Sequence, residues 1–163
     1  MTFADYFFIF GARYLYLLAG LIVLAWFWKL PRESKKDIII FGIIALPTIY
    51  IVSKIGAWLY FDARPFVVGH FTPLIPHDPD NGFPSDHVLL VSAIASIIYP
   101  FSKKTSAMVW AIAILVGISR VYVGIHHLID VVGSVVLSIV ISALAYFVFD
   151  KFIRKHALSL PKN

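Results

Sequence analysis

Three short stretches put ionisable and hydroxyl side chains where an otherwise apolar chain would not place them. Arg64 precedes Pro65 in Ala-Arg-Pro-Phe, Ser85 and His87 lie in Gly-Phe-Pro-Ser-Asp-His (82–87), and residues 119–130 carry Ser119, Arg120, His126 and Asp130. A guanidinium is a planar fork that grips a phosphate through two parallel hydrogen bonds. A serine behind a proline is placed to cap a helix, and its hydroxyl with the free N–H groups of the first turn forms an anion site. His126 and Asp130, four apart, are expected on one face of the helix that starts the last apolar segment. An aspartate so placed accepts the Nδ1 proton and leaves Nε2 unprotonated. Together these parts meet the needs of phosphoryl transfer: neutralised oxygens, a nucleophile and a proton donor. Taken singly, each has a plainer reading. Arg64 suits an interfacial, snorkelling arginine, Ser85 a mere cap, and Asp86 an acid complementing a helix dipole.

The elements that must position these groups are membrane helices. The chain has 163 residues, 60% of them hydrophobic and only 14% charged, against about 25% charged in soluble domains. Tyr14 to Leu30, Ile38 to Tyr60, Ser106 to Val123 and Leu128 to Phe149 each approach the roughly 20 residues that cross a bilayer. Ser85 to Phe101 is a shorter fifth span, long enough if its first turn lies slightly inside the membrane. Phe3 to Gly11 is too short to cross and is expected as a separate interfacial or re-entrant helix. No basic residue precedes Arg13 and the apolar stretch simply continues, so a cleaved signal peptide is not expected. No linker or repeat divides the chain, which reads as one membrane-embedded domain over 1–163, an all-α bundle of about five transmembrane helices.

The net charge of +5 is topological. Lys29, Arg32, Lys35 and Lys36, then Lys103 and Lys104, then Lys151, Arg154, Lys155 and Lys162 make up 10 of the 14 Lys and Arg, all on one side of a five-span map. That side is expected to be the cytoplasm, and no nucleic-acid partner is expected. The three polar stretches then meet at the opposite, extracytoplasmic face of a bacterial cell membrane. With no cysteine in the chain, disulfides and thiolate metal sites are excluded.

These stretches resemble the three motifs of the type-2 phosphatidic acid phosphatase superfamily, K-x6-R-P, P-S-G-H and S-R-x5-H-x3-D. Arg64 and Pro65 match the end of the first; Pro84, Ser85 and His87 the second; Ser119, Arg120, His126 and Asp130 the third, at unchanged spacing. The matched core runs over 54–134. Arg-Pro-Phe, Leu-Ile-Pro-His and Phe-Pro-Ser-Asp-His are similar in particular to bacterial undecaprenyl diphosphate phosphatases of the bacitracin-resistance type. The resemblance implies His126 as the nucleophile that forms a phosphohistidine, His87 as the general acid that then activates water, and Arg64, Arg120 and Ser85 as phosphate ligands. The substrate it implies is a lipid diphosphate, undecaprenyl diphosphate above all. A phosphatidylglycerophosphate, phosphatidate or lipid A phosphatase, or a non-catalytic lipid-binding or transport protein, stands as the alternative.

Two positions depart from the pattern. The family lysine falls on Ala57, with Lys54 about one turn away on nearly the same helical face, a substitute phosphate ligand if its side chain reaches. The glycine of P-S-G-H is Asp86, expected to pair with an arginine or to hold His87 and so to narrow the choice of substrate. His127 is expected to face away from the site, and His70 and His77 to belong to the loop. A metal site on His77, Asp78, Asp80 and His87 lacks compact ligand spacing, and two arginines already offer cationic clamps; no cofactor or metal is expected.

Overall fold

The computed structural model describes residues 1–154, so Lys155 and Lys162 of the basic tail lie outside the described residues. Six α-helices run in chain order as α1 Phe3–Trp28, α2 Arg32–Leu59, α3 Pro65–Val68, α4 Asp86–Ile98, α5 Lys103–Tyr122 and α6 Leu128–Val148, followed by a π-helical turn Phe149–Arg154. The described residues contain no strand, only a single bridge between Ala63 and Asn81.

The separate N-terminal helix is not observed. Phe3 to Gly11 forms the first turns of α1, which continues unbroken to Trp28. Nothing in Gly-Ala-Arg-Tyr (11–14) breaks the ladder, and the helix starts at Thr2 with a capping box. The Thr2 hydroxyl accepts from the Asp5 N–H and the Asp5 carboxylate accepts from the Thr2 N–H, which satisfies two orphan donors of the first turn. Gly11 matters instead for packing: a Cβ there would collide with Ser119 Oγ, so α1 and α5 approach closely at that level.

Four helices, α1, α2, α5 and α6 with its extension, are long and apolar enough to cross a membrane. The fifth span is shorter than expected. α4 stops at Ile98 and Tyr99–Phe101 form a turn: Tyr99 keeps helical backbone as the C-cap, but Pro100 has no N–H to carry the ladder on. Its 13 residues rise only about 20 Å, against a hydrocarbon core of about 30 Å. α4 is therefore a central post rather than an outer stave. It packs mainly on α5 and α6, more lightly on α2 and α1.

Serines knit this post in place where the apolar effect is weak. Ser138 Oγ donates to Leu89 O at 3.2 Å, Ser92 and Ser138 hydroxyls meet at 3.0 Å, and Ser106 Oγ donates to Ala95 O at 2.8 Å. Small hydroxyl residues at helix contacts let backbones approach and supply the polar glue that lipid cannot. At one end of α4, Phe41, Ile97 and Phe149 close an aromatic core cluster. At the other end, the segments 60–85 and 123–127 fold over the start of α4. The chain thus brings its three polar stretches to one end of the bundle, and its basic α1–α2 and α4–α5 connections to the other.

Candidate active site

Each polar side chain is delivered by the end of a different element. Arg64 is the N-cap of α3, Arg120 lies in the last turn of α5, and Ser85 is the N-cap of α4. His126 comes from the α5–α6 connection and Asp130 from the first turn of α6. Arg64, Arg120 and His126 line one cavity of about 340 Å³ together with His87, Lys54 and Asp86. Arg64, Ser85, Arg120, His126 and Asp130 are all buried.

His126 is not on the helix. The expected helical face is replaced by an extended N-cap at His127, with φ −77° and ψ 160°, and His126 folds back from before it over the first turn. The contact with Asp130 forms nonetheless, Nδ1 to Oδ2 at 3.1 Å. It forms because Asp130 is the acid of the capping box, whose Oδ2 accepts the His127 N–H at 2.9 Å. One carboxylate therefore closes the helix end and holds the imidazole. Gly82 packs against it: a Cβ there would stand 2.9 Å from Asp130 Oδ2 and 3.1 Å from Asp62 O.

On its other side, His126 Nε2 lies 3.3 Å from Arg64 Nη1 and 3.3 Å from Arg120 Nη2. A guanidinium can only donate, so Nε2 is the acceptor and the proton resides on Nδ1, facing the carboxylate. Burial, then the charges of Arg120 and Arg64, push the His126 pKa down to about 3. The imidazole is thus neutral at ordinary pH, its lone pair aimed between two cations.

The two arginines are held differently. Arg64 is locked by the chain: Nε donates to Asp80 Oδ1 at 2.7 Å, Nη1 to Ile125 O at 2.8 Å and Nη2 to Asn81 O at 3.3 Å. Arg120 donates from Nη1 to Ala12 O at 3.4 Å, while its buried Nε has no partner. Ser85 Oγ is likewise buried and unpartnered; although Ser85 is the N-cap, its hydroxyl makes no cap bond. A buried donor left unpaired costs about 1–3 kcal/mol. Two such donors beside a helix N-terminus and two guanidiniums form an anion cradle.

His87 sits in the first turn of α4, half-buried, with its ring edge-to-face on Tyr16 at 4.8 Å. Lys54 reaches the cavity but contacts neither arginine nor His126. Its Nζ lies 3.5 Å from Asp86 Oδ1 and 5.2 Å from the Tyr50 ring centroid. Asp86 therefore pairs with Lys54, and not with an arginine or His87 as expected, because the first turn of α4 faces α2 at that level. His127 is turned away from the cradle toward Asp62, Nδ1 to Oδ2 at 2.9 Å. Ser119 is a packing residue, donating to Leu115 O at 2.7 Å.

Sequence reading missed Asp80, which neutralises Arg64, and Asn81. The Asn81 side chain donates to Ala57 O at 2.8 Å and Tyr60 O at 3.0 Å, and accepts from Asp62 N at 2.9 Å and Phe83 N at 3.0 Å. It clasps the end of α2 to the segments bearing Arg64 and Ser85; the Asn-Gly pair at 81–82 was the available signal, since such pairs mark tight turns. Asp80 has its carboxyl held below the ordinary range: burial works the other way, but the hydrogen bond and charge of Arg64, with His77, outweigh it. His77 stands edge-on to His126, ring centroids 6.4 Å apart. Among the described residues, the carboxylates and imidazoles close enough to share one cation are Asp62, His127 and Asp130, not the set His77, Asp78, Asp80 and His87. All three already hydrogen-bond one another or His126.

The sequence model of the PAP2 superfamily matches residues 37–154. A protein of Bacillus licheniformis named bacitracin transport permease protein BcrC is 36% identical over 81% of this chain, which spans 64% of that protein's length. The undecaprenyl-diphosphatase BcrC of Bacillus subtilis is 32% identical over 90% of this chain and 75% of its own. The crystal structure of Aquifex aeolicus LpxE shares the fold at a TM-score of 0.66, with 20% identity over 90% of this chain and 87% of that one. A transmembrane PAP2-type phosphatidylglycerolphosphate phosphatase from Bacillus subtilis superposes with a TM-score of 0.54, at 29% identity over 91% of this chain and 75% of that one.

Proposed function

Because the chain belongs to the PAP2 superfamily, we propose that it is a membrane phosphatase that removes the terminal phosphate of a lipid diphosphate by way of a phosphohistidine on His126. The observation that carries this reading is the pairing of one imidazole with two guanidiniums. His126 Nε2 lies 3.3 Å from each of Arg64 and Arg120, and Nδ1 is held by Asp130. In the first step the Nε2 lone pair attacks the terminal phosphorus, the bond from phosphorus to the bridging oxygen breaks, and the lipid monophosphate departs with the electron pair. Arg64, Arg120, Ser85 Oγ and the first N–H groups of α4 hold the equatorial oxygens. In the second step His87 takes a proton from water, the hydroxide attacks phosphorus, the N–P bond breaks, and inorganic phosphate leaves. The two guanidiniums supply the cationic clamp, so turnover in this reading needs no metal.

Undecaprenyl diphosphate is the substrate favoured by the similarity to the undecaprenyl-diphosphatase BcrC of Bacillus subtilis, and cleaving it would recycle the lipid carrier of cell-wall synthesis. A bacterial cell membrane with the site on the extracytoplasmic face fits the basic connections at the far end of the bundle. The test is trapping, by alkaline detergent quench, of an acid-labile labelled phosphoenzyme from terminally labelled undecaprenyl diphosphate in EDTA, with His126→Asn as control. Label on His126 is expected; its absence, or dependence on added metal, overturns the mechanism. Parallel turnover of phosphatidylglycerophosphate and lipid A separates the enzymatic alternatives. The name of the Bacillus licheniformis relative marks a second reading, a non-catalytic transporter. Full cellular function of His126→Asn would favour it.

A further inference from the structure

The ion pair between Lys54 and Asp86 is left over by this mechanism, since neither side chain is hydrogen-bonded to His126, Arg64 or Arg120. We infer that Lys54, held in place by Asp86, receives the lipid-side phosphate of a diphosphate and thereby selects diphosphates over monophosphate esters. This rests on the proposed function, and specifies which substrate that site prefers and why.

Depth in the membrane sets this pair apart from the cradle. α2 runs from Arg32 toward the site end at Leu59, so Lys54 lies three residues short of Ala57, about 4.5 Å nearer the middle of the span. Ala57 marks the level of the cradle: its carbonyl is held by Asn81, whose own carbonyl accepts from Arg64. A lipid headgroup must come in with its terminal phosphate in the cradle and its tail toward the membrane. Whatever follows the terminal phosphate along the lipid then meets the level of Lys54 and of Asp86, which lies in the first turn of α4 below Ser85. In a diphosphate that group is a second phosphate. In a monophosphate ester it is the first carbon of an apolar chain, which would strip water from a charged pair and return nothing.

Lys54 is poised rather than committed. Its side chain is half exposed and that of Asp86 is 71% exposed, so one carboxylate contact and the Tyr50 ring leave ammonium protons free for an incoming oxygen. Asp86 is the positioning residue. Where the family pattern places the lysine, one turn further on, the ammonium would lie level with the cradle and serve the reacting phosphate. Here the lysine sits lower and an acid tethers it there. During cleavage the same ammonium lies beside the departing lipid monophosphate and offsets the charge that develops on it.

Ligand binding reads this without turnover. The full-length protein in detergent is titrated with inorganic phosphate and with methylenediphosphonate, a diphosphate that cannot be hydrolysed, for the native chain, Lys54→Met, Asp86→Asn and Asp86→Glu. The native chain is expected to prefer the diphosphonate. Lys54→Met should weaken diphosphonate by about tenfold, one charge-assisted hydrogen bond, while phosphate moves less than about threefold. Asp86→Asn should lower the preference, and Asp86→Glu restore most of it. No preference in the native chain, or an equal loss for both ligands in Lys54→Met, overturns the inference. Failure to cleave lipid diphosphate with the ligand preference intact would instead sink the proposed reaction while leaving the subsite standing.

Discussion

Asp130→Asn tests the link between the helix cap and the proposed nucleophile, His126, most directly, because it changes charge without changing shape. In the resting site Asp130 Oδ2 accepts two donors, His126 Nδ1 at 3.1 Å and His127 N at 2.9 Å, while Oδ1 is buried without a partner. An asparagine has two orientations there. With its carbonyl toward His126 the tautomer survives, but its amide occupies the unpartnered Oδ1 place and the negative charge is gone. With its amide toward His126, the imidazole must carry its proton on Nε2, which removes the nucleophilic lone pair. The first orientation sets the smaller loss. As Nε2 bonds to phosphorus, a positive charge develops on the ring about 4 Å from the carboxylate, worth about 4 kcal/mol at an effective dielectric of about 20. Losing it slows phosphorylation about 10³-fold. The assay is rapid-quench measurement of phosphoenzyme formation on a lipid diphosphate, with the unfolding midpoint measured in the same detergent. A loss below about tenfold, with the fold intact, would refute the reasoning, since it would mean that Asp130 only caps α6.

Four further outcomes follow from the same geometry. Arg120→Lys should lower kcat/KM by about 10- to 100-fold, one lost charge-assisted hydrogen bond, with little change in unfolding midpoint. Arg64→Lys should lower both, because Arg64 also ties together Asp80, Asn81 and Ile125; equal midpoints would count against that distinction. Asp80→Asn should tighten inhibition by inorganic phosphate about two- to fivefold, a partly exposed carboxylate no longer repelling the anion at Arg64; weaker inhibition would show that Asp80 serves only to orient the guanidinium. Finally, His126 has a pKa pushed down from 6.5 to about 3, so the unfolded chain binds more protons between those values. Its contribution to stability is complete above pH 6.5 and is lost as pH falls toward 3. His126→Gln should therefore lose less stability than the native chain on going from pH 7 to pH 4.5, read as the unfolding midpoint; parallel curves would contradict the burial of a neutral imidazole.

The membrane architecture was legible because it depends on apolar length, and the gathering of Arg64, Arg120, His126 and Asp130 at one end of the bundle because they are residue types that a bilayer tolerates only with a purpose. What escaped was whatever rests on where a chain turns. Phe3 to Gly11 looked too short to span, yet no breaker separates it from Tyr14 and the capping box at Thr2 starts a single 26-residue helix. Pro100 ends α4 early, at the end remote from the cradle. His126 and Asp130 meet as expected but not by helical periodicity, since His127 is extended and the contact runs through a cap. Asn81 and Asp80 went unassigned for a different reason: the Asn-Gly pair marked a turn and Asp80 was weighed only as a metal ligand, while their partners on α2 and at Arg64 lie 16 to 24 residues away, beyond any local pattern.

The two departures from the family pattern show the same limit from the other side. In the sequence, a lysine one turn out of place and an aspartate where a glycine belongs are separate anomalies, each of which weakens a phosphate site when taken alone. A displaced cation is too far from the reacting oxygens, and an added carboxylate repels them. In space Lys54 Nζ and Asp86 Oδ1 stand 3.5 Å apart, so each removes the other's difficulty: the acid is neutralised, and the base is fixed at a definite depth. A pair of this kind makes sense only for a ligand with charge at two levels, one in the cradle at His126 and one below it. The tether and the nucleophile therefore make separable demands. Variants of Asp130 should slow phosphorylation of every substrate alike, whereas variants of Asp86 should change which substrates are accepted.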